Sequence, residues 1–373
     1  MQLIVNTDNF REGIGVVSHA SSPSSMTPIL ENILINATYN KLILSANNLE
    51  MAIEYVIDEG VEIKKEGSFT LSSKFLNSFL SLLPDSKIDM ELVGNSSIIF
   101  RTETSETKFA GIEAVKFPVI PSFKKDYSFK VPSKDLKTAI EKTIFSTAEG
   151  NIRPTLAGIY IALKDGNIAF ASTDSFRLSE FKIVGAAKKE DNLSIILPSK
   201  TAIELSRIIP ETGDIECFVS ENQFIAVFGN IKLFSRLLNG HFPDYQTFFP
   251  KSHSTKGIVL RSELIQSLKR INLISKENNY NTRFKFSIEE GLEISTGDTE
   301  VGAGRVILQA SVEGEENIIG INSNYLLEVL NVIKEEYIDI DFESALSPVV
   351  VKAYLQKEDS RNQYKHIIMP LKI

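Results

Sequence analysis

The sequence predicts an α+β protein built from three tandem copies of one two-helix, antiparallel-sheet module. Three observations carry that expectation. A helical segment recurs as LSSKFLNSFLSLLP (71–84), LPSKTAIELSRIIP (197–210) and INSNYLLEVLNVIK (321–334), and Ser73, Ser199 and Ser323 are spaced by 126 and 124 residues. A polar turn after a strand recurs in LILSANNLEM, IAFASTDSFR and LEISTGDTEV, where Asn48, Asp174 and Asp298 repeat the spacing of 126 and 124. Alternating strand-type runs fill the space between helical segments, in an order that fits helices on one face of antiparallel sheet. A whole fold triplicated within 373 residues points to a curved or closed surface rather than to a single catalytic cavity.

Each third opens with a strand and a helix: LIVNTDNFREGIGVVSHA, FKVPSKDLKTAIEKTIFSTA and IVLRSELIQSLKRINLIS. Phe10, Leu136 and Leu264 correspond, as do Ile14, Ile140 and Leu268 four residues later, so both sets share a helix face. Strand runs such as AGIYIAL and IAFAST come next. In the second helix, Leu76/Ala202/Leu326, Phe79/Leu205/Val329 and Leu83/Ile209/Ile333 form the apolar stripe that should be buried. The opposite stripe is Lys74/Lys200/Asn324, Ser78/Glu204/Glu328 and Ser81/Arg207/Asn331, expected to be solvated in all three copies. Another strand pair follows, closed in the first two thirds by Phe117-Pro118 and Phe242-Pro243. The expected domains are residues 1–127, 128–253 and 254–373, each roughly 125 residues and large enough for its own core.

Composition narrows the class. With 43% hydrophobic and 24% charged residues the chain reads as folded, not disordered. MQLIVNTDNFREG has no basic stretch ahead of an apolar run, so no secretion signal is expected. No run is long enough to span a bilayer. One cysteine, Cys217, allows no intrachain disulfide and fits a reducing cytoplasm. The net charge of −8 argues against wrapping nucleic acid by bulk attraction, yet leaves room for basic residues gathered on one face.

No catalytic or metal-binding pattern stands out. His19, His241, His253 and His366 are scattered and none has metal-ligand spacing. GxxxxGK[ST], GxGxxG and GxSxG are missing, and Gly302-Ala303-Gly304 followed by Arg305-Val306-Ile307 reads as a turn. Asp174 beside Thr173 is a candidate acid, but Asn48 and Asp298 hold the same place in the other copies, which favours a turn-forming role. No cofactor is implied. Two function classes stay open at this point: a three-domain interaction scaffold, and an enzyme with its site at a domain junction. The second lacks a paired acid and base, a metal cluster or an activated nucleophile.

Several segments resemble one family over the full length. They are TPILENILI, ASTDSFRLSEF, LPSKTAIEL, NGHFPDY and the terminal HIIMPLKI. The chain is similar to the bacterial sliding clamps, the beta subunits of DNA polymerase III. That resemblance implies a non-catalytic, head-to-tail homodimer of three-domain subunits, closed into a six-domain ring around duplex DNA. It also implies a pocket between the second and third domains for short peptides carried by the polymerase III alpha subunit, the clamp loader delta subunit and other proteins with a clamp-binding motif. On this chain the pocket would comprise Leu156, Thr173, Ser175, Phe176, Arg177, Leu178, Pro243, Phe248, Ile367, Met369, Pro370 and Leu371. An apolar cleft with a flexible methionine suits leucine and aromatic anchors, and Thr173 and Arg177 would hold the peptide's polar groups.

A ring holds DNA by threading, so a few Lys and Arg suffice for weak, sequence-blind phosphate contact. The residues expected to line it are Lys74, Lys134, Lys137, Lys142, Arg153, Lys200, Arg207, Lys269 and Arg270, while Glu204 and Glu328 on the same stripes would make the lining uneven. The subunit interface implied by the family maps to Phe109, Leu273 and Ile274. The chain departs from the family pattern at Ser175-Phe176, where many members have Gly-His, at Pro154-Thr155 before Leu156, where an aromatic is common, and in SSPSSM (21–26), which lacks a basic residue.

Overall fold

A computed structural model describes residues 1–22, 26–84, 86–120, 125–150, 153–355 and 361–372. Part of the SSPSSM segment (23–25) and the last residue of HIIMPLKI lie outside the described residues. Three rounds of one element order run along the chain. The first comprises β1 (Gln2–Asn6), α1 (Thr7–Ser18), β2 (Asn32–Thr38), β3 (Lys41–Asn47), β4 (Met51–Ile57), β5 (Val61–Lys65), β6 (Gly67–Ser72), α2 (Ser73–Leu82), β7 (Lys87–Val93), β8 (Ser97–Arg101) and β9 (Glu106–Ala110). The second comprises β10 (Tyr127–Pro132), α3 (Ser133–Thr143), β11 (Gly158–Lys164), β12 (Asn167–Thr173), β13 (Arg177–Ile183), β14 (Asn192–Pro198), α4 (Ser199–Ile208), β15 (Asp214–Ser220), β16 (Gln223–Phe228) and β17 (Ile231–Arg236). The third comprises β18 (Thr255–Leu260), α5 (Arg261–Ser275), β19 (Asn281–Ser287), β20 (Gly291–Ser295), β21 (Arg305–Leu308), β22 (Ala310–Gly314), β23 (Asn317–Asn322), α6 (Ser323–Val332), β24 (Tyr337–Phe342), β25 (Val349–Ala353) and β26 (Asn362–Ile368). Among the described residues the second round has no counterpart of β5 and β22.

The chain packs as two compact units, Met1–Lys134 with Ile203–Leu237, and Asp135–Ala202 with Leu238–Ile373. The first holds a five-stranded sheet, β5-β1-β7-β8-β9, and an eight-stranded sheet, β10-β15-β16-β17-β4-β3-β2-β6. The second holds a nine-stranded sheet, β14-β11-β12-β13-β26-β25-β24-β18-β22, and a four-stranded sheet, β21-β20-β19-β23. Every ladder among the described residues is antiparallel. Successive rounds are thus joined edge to edge. β4 of the first round pairs with β17 of the second, and β13 of the second pairs with β26 of the third.

The first helices bury the face the sequence marks. Phe10, Leu136 and Leu264 are buried, and so are Ile14, Ile140 and Leu268. α1 lies so close to its sheet that a Cβ on Gly13 would come within 2.7 Å of Leu44 Cδ1 and 2.9 Å of Tyr55 Cδ1. Asn6 starts this helix by accepting from the backbone N–H groups of Asp8 and Asn9, and Asn322 does the same for Asn324 and Tyr325 at the start of α6.

Two expectations for the second helices need correction. In α2 the buried apolar residues are Leu76 and Leu80, while Phe79 and Leu83 are only half-buried. α2 is apolar on two sides, and the second side builds an aromatic cluster in which Phe109 meets Phe75, Phe79 and Phe100 at 4.9–5.1 Å. The polar stripe is also not solvated in every copy. Glu204 is half-buried and paired with His19 at 2.6 Å and with Arg207 at 2.6 Å, and Glu328 is half-buried against Arg177.

The recurring turn behaves as expected in two copies. Asn48 Oδ1 accepts from the N–H groups of Glu50 and Met51, and Asp174 Oδ1 accepts from those of Phe176 and Arg177. Leu49 and Ser175 take the same left-handed backbone, at φ of 73° and 81°. The third copy departs. There the strand after the turn starts at Arg305, and Thr299 pairs with Gly302 in a longer loop.

Candidate functional site

In the second unit the turn between β12 and β13 forms one wall of a cavity. Thr173 Oγ1 donates to Arg177 O at 2.6 Å and accepts from Ser175 N at 3.0 Å, which fixes the turn from within. β26 lies beside β13, and the chain after it is tied back because Met369 N donates to Phe176 O at 2.8 Å. Further along, Leu371 N donates to Gly320 O at 2.7 Å. The terminal run is therefore a docked strand followed by a held tail.

The cavity is about 490 Å³ and is lined by Arg153, Thr155, Leu156, Thr173, Ser175, Arg177, Leu178, Pro243, Phe248, Ile367 and Met369. Its floor is apolar: Leu156, Leu178 and Ile367 are buried in one cluster with Ala171, Ile196, Phe242 and Tyr245. Nine of the expected pocket residues meet here. Phe176 instead projects beside the cavity, 60% exposed, and Pro370 and Leu371 belong to the tail that runs past it. Two lining residues were not assigned to the pocket from sequence. Arg153, expected in the DNA lining, and Thr155 come with Leu156 on the short turn Pro154–Leu156. Their adjacency to Leu156 was the available signal.

Arg177 is buried and committed. Its Nε donates to Asp174 Oδ2 at 3.0 Å, Nη1 to Glu328 and Nη2 to Phe145 O at 2.6 Å, and it stacks 4.3 Å above the Tyr325 ring. Thr173 and Arg177, expected to hold a ligand's polar groups, both line the cavity, with these groups also engaged by the fold. Arg153 is the exposed guanidinium at the mouth, and it donates to Ser175 Oγ. An apolar cavity with one exposed cation at its rim suits an extended segment with apolar anchors.

Behind the wall, His366 on β26 is fully buried, hydrogen-bonds through Nδ1 with Ser179 Oγ at 2.8 Å and stacks on Phe145. Burial, reinforced by the charge of Arg177, pushes the imidazole down to about 3. The unfolded chain, at about 6.5, binds a proton that the fold refuses. Stability from this group is complete above pH ~6.5 and is lost as pH falls towards 3. His366→Leu should destabilise at neutral pH, and its deficit relative to wild type should shrink by about 2 kcal/mol between pH 7 and pH 5. Denaturant titrations at several pH values test this, and a pH-independent deficit would overturn it.

The remaining expected residues lie mostly on helices α2 to α5. Lys74 and Lys200 are exposed in the first turns of α2 and α4, and Arg207 is exposed on α4. Lys134 is exposed and Lys137 half-buried on α3, while Lys142 lies 5.0 Å over the Tyr364 ring. Lys269 and Arg270 are exposed on α5. Of the expected interface residues, Phe109 is buried in the aromatic cluster, Leu273 is 78% exposed and Ile274 is half-buried beside Gly304. Phe75 and Leu82 on α2 are exposed apolar residues that lie off the stripe marked from sequence.

Tandem two-helix modules joined strand to strand are the architecture of a sliding clamp. Models of the DNA polymerase III beta subunit match end to end: the N-terminal domain at residues 1–121, the central domain at 130–244 and the C-terminal domain at 246–372. The chain is 30% identical to a beta sliding clamp of Rickettsia bellii over 100% of both chains, and 28% identical to one of Staphylococcus epidermidis over 100% of this chain and 99% of the relative. The crystal structure of the DNA polymerase beta subunit of Streptococcus pyogenes superposes with a TM-score of 0.93 at 25% identity, covering 100% of both chains. The chain belongs to the DNA polymerase III beta subunit family, whose members are DNA sliding clamps, non-catalytic processivity factors.

Proposed function

We propose that two copies of this chain close head to tail into a six-domain ring around duplex DNA, and that partners are tethered by a short segment seated in the 490 Å³ cavity. The domains are residues 1–127, 128–253 and 254–373. One observation carries the closure. Each in-chain junction joins the fourth strand of one round to the last strand of the next, as β4 with β17 and β13 with β26. The remaining strands of those two kinds are β21 and β9, and both stand at sheet edges with one neighbour each. Pairing β21 with β9 of a second copy would join the four- and five-stranded sheets into a nine-stranded one, matching the sheet at the second in-chain junction. Open edges of this kind are templates for strand addition.

DNA is held loosely by Lys74, Lys134, Lys137, Lys142, Lys200, Arg207, Lys269 and Arg270, with salt-sensitive phosphate contacts. Pairing of Glu204 with His19 and Arg207 softens an acidic spot on that lining. Arg153 serves the pocket rim. Leu156, Leu178, Ile367 and Met369 receive the partner's apolar anchors, with Ser175, Phe176, Pro243 and Phe248 at the mouth. The occupants are segments of the polymerase III alpha subunit, the clamp loader delta subunit and other clamp-binding proteins, in the cytoplasm. Protein loaded on nicked circular DNA should stay bound through gel filtration in moderate salt and be released once the circle is linearised. Equal retention on circular and linear DNA would leave only a scaffold role.

A further inference from the structure

The two in-chain junctions share a register, and the ladders carry that register onto the open edges. Met51 opposes Ser235 and Arg177 opposes Ile368. Within the rounds, β3 pairs with β4, β12 with β13 and β20 with β21 so that Leu44 opposes Tyr55, Phe170 opposes Phe181 and Ile294 opposes Val306. Those ladders make Tyr55, Phe181 and Val306 counterparts. The last strands align likewise, because Phe100 opposes Thr107, Ala226 opposes Leu233 and Val351 opposes His366.

One position of this register carries charge in every case. At the first junction Glu54 faces Lys232, and at the second Glu180 faces Lys365. The counterpart of Glu54 and Glu180 is Arg305, and the counterpart of Lys232 and Lys365 is Glu106. All six side chains alternate with residues that face the sheet's other side, and Arg305 and Glu106 are exposed. The pair stays complementary while its polarity is reversed.

Resting on the ring reading above, we propose that the β21–β9 interface adopts this in-chain register, with Arg305 opposite Glu106 of the partner subunit. Opposite charges directly across an antiparallel pair attract and like charges repel. The reversal gives the interface a partner code. Arg305 on β21 would repel Lys232 or Lys365 if β21 of one copy reached β17 or β26 of another, and Glu106 would repel Glu54 or Glu180. The reversed pair therefore steers assembly towards the closed ring and away from exchange of edge strands. In the free subunit Arg305 bonds Glu293 at 2.6 Å and Glu106 bonds Arg101 at 2.7 Å, so both charges are held in place before association.

Charge reversal tests the code on the full-length protein. Glu106→Arg and Arg305→Glu should each weaken dimerisation about tenfold or more by sedimentation equilibrium, and the double variant should recover to within about threefold of wild type. Full additive weakening in the double variant, with wild type dimeric, would overturn the register and leave ring closure standing. A monomeric wild type would instead overturn the ring reading itself. Cysteines provide a second readout, since opposed residues in an antiparallel pair lie within disulfide reach. Glu106→Cys with Arg305→Cys should crosslink between subunits on oxidation, whereas Glu106→Cys with Ile307→Cys, two residues out of register, should not. The opposite pattern of crosslinks would also overturn the register.

Discussion

Replacing Leu273 and Ile274 together by alanine is expected to convert the dimer into monomers at concentrations where wild type is fully assembled. Leu273 stands 78% exposed on α5, a position that costs an isolated subunit hydration of a large apolar side chain. Ile274 packs beside Gly304, next to the start of β21, so it supports the strand proposed to pair across subunits. The opposing surface of the first unit offers Phe75 and Leu82, exposed at 47% and 82%, beside the cluster that holds Phe109. Burying a large apolar side chain is worth about 1.5–3 kcal/mol. With Leu273 contributing fully and Ile274 in part, each junction should lose about 2–4 kcal/mol, roughly 30- to 1,000-fold in dissociation constant. A closed ring has two such junctions, so the losses compound. Sedimentation at submicromolar protein checks the outcome, and retention on circular DNA should vanish with the dimer. Peptide affinity should be unchanged, which separates loss of the interface from loss of the fold. Dimers persisting in the double variant would remove Leu273 and Ile274 from the interface.

Much of the architecture was legible because the repeat tests itself. A single apolar stripe at helical spacing is ambiguous, but Phe10, Leu136 and Leu264 at matching places in three copies are not, and all three are buried. The exceptions arise where one copy takes on a different task. α2 keeps Leu76 in the core yet leaves Phe75 and Leu82 exposed, whereas their counterparts Thr201, Tyr325, Ile208 and Val332 are buried or half-buried, so comparison of the copies does not mark the exposed pair. Glu328 occupies a position read as solvated and is drawn under the pocket wall by Arg177, a contact 151 residues away in sequence. Periodicity reports which face a residue lies on, not which distant charge it meets. The pocket was legible through the family resemblance and not from periodicity, since Leu156, Leu178 and Ile367 are buried as ordinary core residues are. Thr155 shows the limit of that route: carrying residues over one by one omits a neighbour that the local turn brings into the same wall.

Removing residues 369–373 is expected to abolish binding of a partner peptide while leaving the dimer intact. The cavity wall beyond Ile367 is Met369, whose unbranched thioether adapts to leucine or aromatic anchors. Its backbone N–H also ties the tail to Phe176 O, so truncation removes both a wall and a strap on the Ser175-Phe176 turn. β26 should survive, because Ile368 keeps its partners Arg177 and Val349 on either side. The proposed interface should survive too. The tail docks through Leu371 on Gly320 in β23, which is the opposite edge of the four-stranded sheet from β21. Met369→Ala gives the graded version: truncating one buried contact of this kind should weaken a labelled peptide with leucine and phenylalanine anchors by about tenfold or more. Fluorescence anisotropy with that peptide, paired with sedimentation of the same samples, reads both halves of the expectation. Unchanged affinity in the truncated protein would move the partner site away from this cavity, and loss of the dimer would show that the tail supports β21 through the sheet between them.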